Sequence, residues 1–204
     1  MNAEQIMNSE DFKKCADFHG HVCPGLCIGY KAARAGMAWL TENRSEDEEI
    51  VAIVETDACS ADAVQVLTGC TFGKGNFIFK DYGKMVLTLL SRNTGLGVRV
   101  AGKNSVARPD EEHMALIQKM STGEMTDAER KRFQELSHNR VCRILEAPAA
   151  EMFTITATNM ILPKKARIEP SEPCAHCAEP VMKSKLSNVD GKLVCRGCLE
   201  SLVS

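Results

Sequence analysis

Four cysteines near the end of the sequence form two closely spaced pairs that are typical of a metal site. Cys174 and Cys177 make one Cys-x2-Cys pair, and Cys195 and Cys198 make the other. Four thiolates at this spacing suit tetrahedral Zn²⁺, and because they leave no coordination position open, the predicted zinc is structural. Two disulfides are the alternative interpretation, which requires an oxidising compartment.

A second concentration of metal ligands lies near the start of the sequence, in the segment His-Gly-His-Val-Cys-Pro. Pro24 suits the first position of a helix, which makes Cys23 the N-cap, where the helix dipole favours a thiolate and lowers its pKa. Cys59 follows an apolar run and precedes a second predicted helix, so we expect it in a similar position. The candidate ligands of a mixed nitrogen and sulfur site for zinc, nickel or iron are therefore His19, His21, Cys23 and Cys59.

Other interpretations of the same residues remain open at this stage. Cys59 would be a catalytic nucleophile, with His19 as its base, if its thiol has a low pKa and no metal binds in the core. His19 and His21 would have a structural role if they only cap helices or bond backbone carbonyls. The remaining cysteines outside the tail are predicted to be small core residues: Cys15, Cys27, Cys70 and Cys142.

A glycine-rich segment at residues 69–75 resembles a phosphate-binding loop only superficially. Three residues instead of four separate Gly69 from Gly73, and Lys74 is followed by glycine where the motif needs serine or threonine. The sequence after it predicts a strand and not a helix. We therefore expect a tight loop that lines a pocket, with Lys74 available to contact an anion.

Helices and strands segregate along the sequence, which predicts an α+β fold with a mixed or antiparallel sheet packed with helices. The apolar run at residues 50–54 predicts a buried strand, and three further strands are expected to be antiparallel neighbours. These further strands cover residues 76–80, 84–92 and 96–102, and a last strand covers 152–158. Helices are predicted over residues 9–18, 25–41, 61–67, 110–123 and 126–146.

The character of the sequence changes near residue 168, which predicts a core domain over residues 1–168 and a small four-cysteine zinc-finger domain over residues 169–204. The tail contains three prolines and four cysteines in short spacings. So short a stretch buries too little apolar surface to fold alone, and metal binding would supply the missing free energy. We expect this finger to be an interaction or dimer-stabilising module.

Composition and charge exclude several classes of function. The chain has 204 residues and a formal net charge of −2, so it lacks the basic field that favours nucleic-acid binding. No apolar run is long enough to span a membrane, and the N-terminus has neither a basic nor an apolar signal region. The sequence therefore predicts a cytoplasmic protein without a membrane partner.

Three blocks of the sequence resemble the FmdE family, which takes its name from one of the subunits of formylmethanofuran dehydrogenase. They are Phe-His-Gly-His-Val-Cys-Pro-Gly-Leu from residue 18, Glu-Thr-Asp-Ala-Cys-Ser-Ala-Asp-Ala from residue 55, and Val-Leu-Thr-Gly-Cys-Thr-Phe-Gly-Lys-Gly-Asn from residue 66. The cysteine-rich tail resembles the zinc-binding tail of longer members. The resemblance implies an α+β core with a zinc-finger tail, a homodimer, and a core pocket in which the His and Cys of the first two blocks hold a metal.

The activity of the parent enzyme is not expected of this chain alone. The resemblance implies reduction of CO₂ with methanofuran by a molybdenum or tungsten pterin and iron–sulfur clusters, but the sequence has no iron–sulfur cysteine run and no evident pterin signature. We predict a metal-binding accessory subunit or stand-alone relative, with redox-enzyme subunits as partners, and leave open whether it turns over a substrate. The alternatives are a docking module that uses the zinc finger and a thiol-dependent enzyme that uses Cys59.

Overall fold

The computed structural model describes residues 1–103 and 108–203, with side chains as far as Ser201. The chain divides into two compact units, Met1–Lys165 and Ala166–Ser204. In the first unit the helices are α1 (Ala3–Met7), α2 (Glu10–His19), α3 (Pro24–Leu40), α4 (Ser60–Thr68), α5 (Glu111–Thr122), α6 (Asp127–Glu146) and α7 (Ala149–Met152). Its strands are β1 (Ile50–Val54), β2 (Phe77–Phe79), β3 (Val86–Ser91), β4 (Gly97–Gly102) and β5 (Phe153–Ala157). None of the described helices combines the length and the apolar character of a membrane span.

One mixed sheet organises the first unit. Within the described residues its strand order is β2-β1-β3-β4-β5. The pairs β1–β3, β3–β4 and β4–β5 are antiparallel, whereas β1–β2 is parallel. The predicted fold class, an α+β fold with a mixed sheet packed with helices, is confirmed.

The predicted pairing of the strand at residues 76–80 is wrong. It was expected beside the strand at 84–92, but β2 lies at the edge of the sheet and pairs with β1, not with β3. The cause is the helix α4, which lies between β1 and β2 in the chain. A connection that contains a helix carries the chain over one face of the sheet and returns the next strand in the same direction.

Helix α3 carries the main apolar face against the sheet. Pro24 occupies its first turn, and the helix ends where Thr41 adopts a left-handed conformation with φ 53°. Leu26, Tyr30 and Leu40 are almost completely buried, because the helical spacing of the apolar residues places them on one face. This packing fixes the N-terminus of α3, which is where the candidate ligand Cys23 lies.

Gly29 brings α4 into close contact with α3. A Cβ atom at this position would lie 2.3 Å from the backbone oxygen of Ser60, at the start of α4. Only a glycine permits this approach, because real Cβ contacts are never so short. The approach places the N-terminus of α4, and with it Cys59, against the first turns of α3.

The Gly29→Ala variant is expected to lower the free energy of unfolding by about 1 to 3 kcal/mol, because the added methyl group overpacks the contact between the two helices. Urea denaturation followed by circular dichroism measures this change. Gly73→Ala is the matched control, since a Cβ there meets nothing within 4 Å, and its midpoint should stay close to that of the original chain. A Gly29→Ala midpoint equal to that of the control would contradict the close contact.

The second unit is built from two hairpins and one helix. Its elements are β6 (Ser171–Pro173), β7 (Pro180–Met182), a 3-10 turn (Lys183–Lys185), β8 (Leu186–Val189), β9 (Lys192–Cys195) and α8 (Arg196–Val203). Strands β6 and β7 pair antiparallel, as do β8 and β9. The buried cluster of this unit consists of Cys174, Val194 and Cys198, so apolar burial alone gives it little stability.

Candidate metal centre

The two histidines of the first block meet because α2 ends at Gly20. His19 is the last residue of α2, and Gly20 follows as the C-cap with φ 89°, a left-handed conformation that suits glycine. The reversal brings the His21 ring back over the His19 ring, with 4.5 Å between the ring centroids. His19 is half-buried and His21 is exposed, so the pair lies at the surface of the first unit.

Cys23 joins this pair from the start of α3. It is the N-cap of α3, as predicted, and its Sγ accepts the backbone N–H of Leu26 at 3.4 Å. One possible ligand atom from each of His19, His21 and Cys23 lies within 4.8 Å of the others. The structure therefore places the three predicted ligands of the first block in one group that could hold a metal ion.

The spacing within this group fits a metal ion. Bond lengths of about 2.3 Å to sulfur and about 2.05 Å to nitrogen, at a tetrahedral angle, place the two ligand atoms about 3.6 Å apart. The distance between His19 Nε2 and Cys23 Sγ is 3.7 Å. These two atoms can bind the same ion with almost no rearrangement.

Asp62 holds His19 in the orientation that a metal ligand needs. The Nδ1 atom of His19 lies 2.7 Å from Oδ2 of Asp62, which can only accept a hydrogen bond when it is ionised. Nδ1 therefore carries the proton, and the lone pair of Nε2 faces Cys23. A carboxylate behind a ligating histidine is a frequent arrangement in metal sites.

Cys59 lies beside Cys23, although it belongs to a different helix. It is the N-cap of α4, and the Cys59 and Cys23 thiols are hydrogen-bonded. A Cβ atom on Gly25 would lie 3.6 Å from the Sγ of Cys59 and 3.8 Å from the Sγ of Cys23, so the two sulfurs flank this glycine. Cys59 adjoins the group of three without being part of its mutual 4.8 Å set.

The pKa of the Cys59 thiol is raised, first by burial and then by its hydrogen bond with Cys23. The position at a helix N-terminus predicted a lowered pKa. That effect is outweighed, because Cys59 is withdrawn from solvent and its side chain makes no helix-capping hydrogen bond.

A cavity of about 560 Å³ opens next to the group. His21 and Cys23 line it directly. Its apolar wall includes Met7, Val22, Met120, Phe133 and Val141, and its polar side chains are Gln134, Ser137 and His138. The volume lies within the usual range of small-molecule sites, so a small molecule can reach these ligand atoms.

Three of the other cysteines are core residues, as predicted. Cys15, Cys27 and Cys70 are fully buried, and Cys142 is half-buried against the same core. Burial raises the pKa of Cys15 and of Cys27 to about 12, so both thiols stay protonated. The core cysteines are therefore not reactive thiolates.

The glycine-rich segment forms a tight turn and not a phosphate-binding loop. It runs into the strand β2, as predicted, and the Nδ2 of Asn76 donates to backbone oxygens of Asp47 and Ile50 behind it. Lys74 donates its Nζ to the backbone oxygen of Glu46 at 3.1 Å. The lysine is held by the chain itself, and the structure gives no support to its predicted contact with an anion.

The four cysteines of the tail converge on one point. The Sγ atoms of Cys174 and Cys198 are 3.9 Å apart, and those of Cys177 and Cys195 are 4.0 Å apart. Four sulfurs around Zn²⁺, at bond lengths of about 2.3 Å, are separated by about 3.8 Å. Backbone N–H groups of Cys177, Cys195 and His176 lower the pKa of the Cys174 thiol to about 6, which favours the ligating thiolate.

The sequence analysis missed the role of Asp62, which it treated only as a favourable residue in the first turn of a helix. Asp62 and His19 are 43 positions apart in the chain. The only local signal is that Asp62 follows Cys59 by less than one helical turn, which places it near any group that Cys59 faces.

The fold and the two clusters define the class of the protein: an α+β core with a His/Cys group that could hold a metal ion, followed by a tail with a four-cysteine group. A sequence model described as "FmdE, Molybdenum formylmethanofuran dehydrogenase operon" matches residues 18–154. The chain therefore belongs to the FmdE family, as the three sequence blocks predicted.

Two known proteins are similar to the chain. A protein of Archaeoglobus fulgidus named "Probable S-adenosyl-L-methionine-binding protein" is 31% identical over 182 residues, which cover 86% of this chain and 50% of that protein. The chain thus spans about half the length of that relative. The crystal structure of a tungsten formylmethanofuran dehydrogenase FmdE-like protein from Syntrophus aciditrophicus matches 98% of this chain and 92% of its own, with a TM-score of 0.61 and 24% identity. This second similarity shows the fold.

Proposed function

We propose that the chain is a metal-binding protein whose core site holds one zinc, nickel or iron ion through His19, His21 and Cys23, with Cys59 at the remaining position. The observation that carries this proposal is the setting of His19. Its Nε2 lies 3.7 Å from the Cys23 sulfur, and its Nδ1 is fixed by the Asp62 carboxylate. A ligand pair at metal-binding distance with an orienting carboxylate behind it is the arrangement expected of a transition-metal site.

The surroundings of the core site suit a metal that meets small molecules. A bound ion would supply a Lewis acid that polarises an oxygen or activates water. His21 and Cys23 line the neighbouring 560 Å³ cavity, so a molecule in that cavity lies against the ligands themselves. The apolar wall would exclude bulk water from it.

The thiol-dependent alternative is less well supported. A cysteine nucleophile needs a lowered pKa or an adjacent base that takes its proton. Burial raises the pKa of Cys59, and the Nε2 of His19 faces Cys23. In the same place, a metal ion would remove the thiol protons by binding the sulfurs.

The tail is proposed to hold a structural zinc and to serve as a module for docking or dimer formation. The family description names an operon of molybdenum formylmethanofuran dehydrogenase, which supports a role beside the subunits of such an enzyme. We propose a cytoplasmic homodimer that acts as an accessory subunit or as a stand-alone relative. Size-exclusion chromatography with light scattering tests the dimer, which a monomeric mass would contradict.

Cobalt binding tests the core site. Protein with zinc in the tail and an empty core is titrated with Co²⁺ without oxygen, and one equivalent should give the visible bands of a tetrahedral ion and a sulfur-to-cobalt charge-transfer band. Cys59→Ser should keep the stoichiometry and weaken the charge-transfer band, whereas the matched control Cys142→Ser should leave the spectrum unchanged. A titration without these bands would contradict the proposal.

The Asp62→Asn variant is expected to bind Co²⁺ about 10- to 100-fold more weakly, since an amide neither fixes the His19 tautomer nor raises the basicity of the ring. The dissociation constant from the same titration measures this change. Asp57→Asn is the control, because Asp57 is exposed and just three positions before the start of α4. Equal affinities of the two variants would show that Asp62 does not orient His19.

A further inference from the structure

A second cavity, of about 350 Å³, collects three cationic side chains from separate parts of the first unit. Lys103 follows β4, Arg108 precedes α5, and Arg140 lies in α6, and all three line this cavity. No acidic side chain is among the described residues that line it. Residues 104–107, between Lys103 and Arg108 in the sequence, are uncharged.

Hydrogen bonds to the chain hold Lys103 in place at both ends. Its backbone N–H donates to the backbone oxygen of Met152 at 2.7 Å. Its Nζ donates to the backbone oxygen of Ala150, also at 2.7 Å. An ammonium group has three N–H donors, so this second bond positions the charge and leaves donors for an anion.

The two arginines of the cavity lie near a fourth positive charge. The guanidinium of Arg143 donates a hydrogen bond to the backbone oxygen of Arg108. Burial, and then the charge of Arg143, lower the pKa of the Arg140 guanidinium. Like charges this close repel one another, and an anion among them would reverse the effect.

The rest of the cavity is apolar. Its lining includes Ile28, Met85, Met152 and Phe153, of which Met152 and Phe153 belong to the buried core. Cationic groups at one side and a hydrophobic floor are the two elements that small-molecule sites combine, and the volume falls in their range. Arginine and lysine are the side chains that recognise carboxylate and phosphate groups.

We propose that this cavity binds a small molecule with a carboxylate or phosphate group held by Lys103, Arg108 and Arg140 and an apolar body that packs on Ile28 and Met85. Arg140 lies close enough to Cys23 for their charges to interact, so the bound molecule lies near the His/Cys group. The anion site does not depend on a metal ion in the core, because the three cations supply its binding energy.

Isothermal titration calorimetry of the full chain tests the proposal with phenyl phosphate, phenylacetate and the uncharged benzyl alcohol. Phenyl phosphate, phenylacetate or both should bind saturably, and benzyl alcohol should bind at least about tenfold more weakly, because it cannot form charge-assisted hydrogen bonds. Whichever acid binds more tightly identifies the oxyanion. Arg108→Ala should weaken that acid by about tenfold or more. The control Arg130→Ala changes an exposed arginine elsewhere on α6 and should bind as the original chain does.

Two results would overturn the anion site. One is the absence of saturable binding of either acid, or equal binding of benzyl alcohol. The other is undiminished binding in Lys103→Ala with Arg108→Ala, two exposed positions where substitution should leave the fold intact. The same titration on His19→Ala separates this proposal from the core metal: binding should persist there, and its loss would show that the anion binds the core metal site instead.

Discussion

Replacing Cys23 with serine is expected to remove one metal ion per chain and to leave the tail zinc in place. Cys23 supplies the sulfur that lies 3.7 Å from His19 Nε2 and that is hydrogen-bonded to Cys59, so it is the centre of the proposed ligand set. A serine hydroxyl is a poor ligand for zinc, nickel or iron compared with a thiolate. Elemental analysis of Cys23→Ser, purified without oxygen or chelator, measures the loss.

Two further variants make this result specific. His19→Ala should give the same loss of one metal, since its Nε2 is hydrogen-bonded to that sulfur. Cys142→Ser also removes a half-buried thiol from the first unit but lies outside the group of three, so its metal content should not change. Unchanged metal content in both Cys23→Ser and His19→Ala would contradict the proposed ligands.

Replacing Cys195 with serine is expected to unfold the tail, residues 169–204, while the first unit stays folded. Cys195 lies 4.0 Å from Cys177 in the four-sulfur group, and its sulfur accepts the N–H of Cys198 at the start of α8. Structural zinc sites contribute on the order of 10 kcal/mol of folding free energy, far more than the small apolar cluster of this unit can supply. Limited proteolysis should therefore cut the tail of Cys195→Ser rapidly and release a stable fragment that contains the sheet.

His176→Ala is the matched control for the tail. His176 lies between the two cysteines of the first pair but is exposed and outside the four-sulfur group. Its substitution should leave both the zinc content and the resistance to proteolysis unchanged. If Cys195→Ser also keeps a protease-resistant tail, the tail does not depend on metal and the structural role of the zinc is wrong.

Local patterns in the sequence predicted the elements that carry the site. Pro24 marked the first turn of α3 and so identified Cys23 as its N-cap, and the apolar run at 50–54 coincides with β1. These features depend on neighbouring residues alone, through the fixed φ of proline and the spacing of apolar side chains. The spacing of the tail cysteines likewise predicted their convergence, because tetrahedral zinc imposes it.

Interactions between distant parts of the chain could not be predicted in the same way. The pairing of β2 with β1 instead of β3 depends on the path of α4 over the sheet. The contact between Asp62 and His19 requires α4 to lie against α2 and α3, which Gly29 permits by its lack of a side chain. The raised pKa of Cys59 follows from burial, which no local pattern reveals.

The metal content of the original chain tests the central claim most directly. Untagged protein purified without oxygen or chelator is analysed for zinc, nickel and iron against its concentration from amino-acid analysis. We predict about two metal ions per chain, one in the tail and one in the core. A single zinc per chain that Cys195→Ser abolishes, with nothing bound at His19, His21 and Cys23, would contradict the core metal centre.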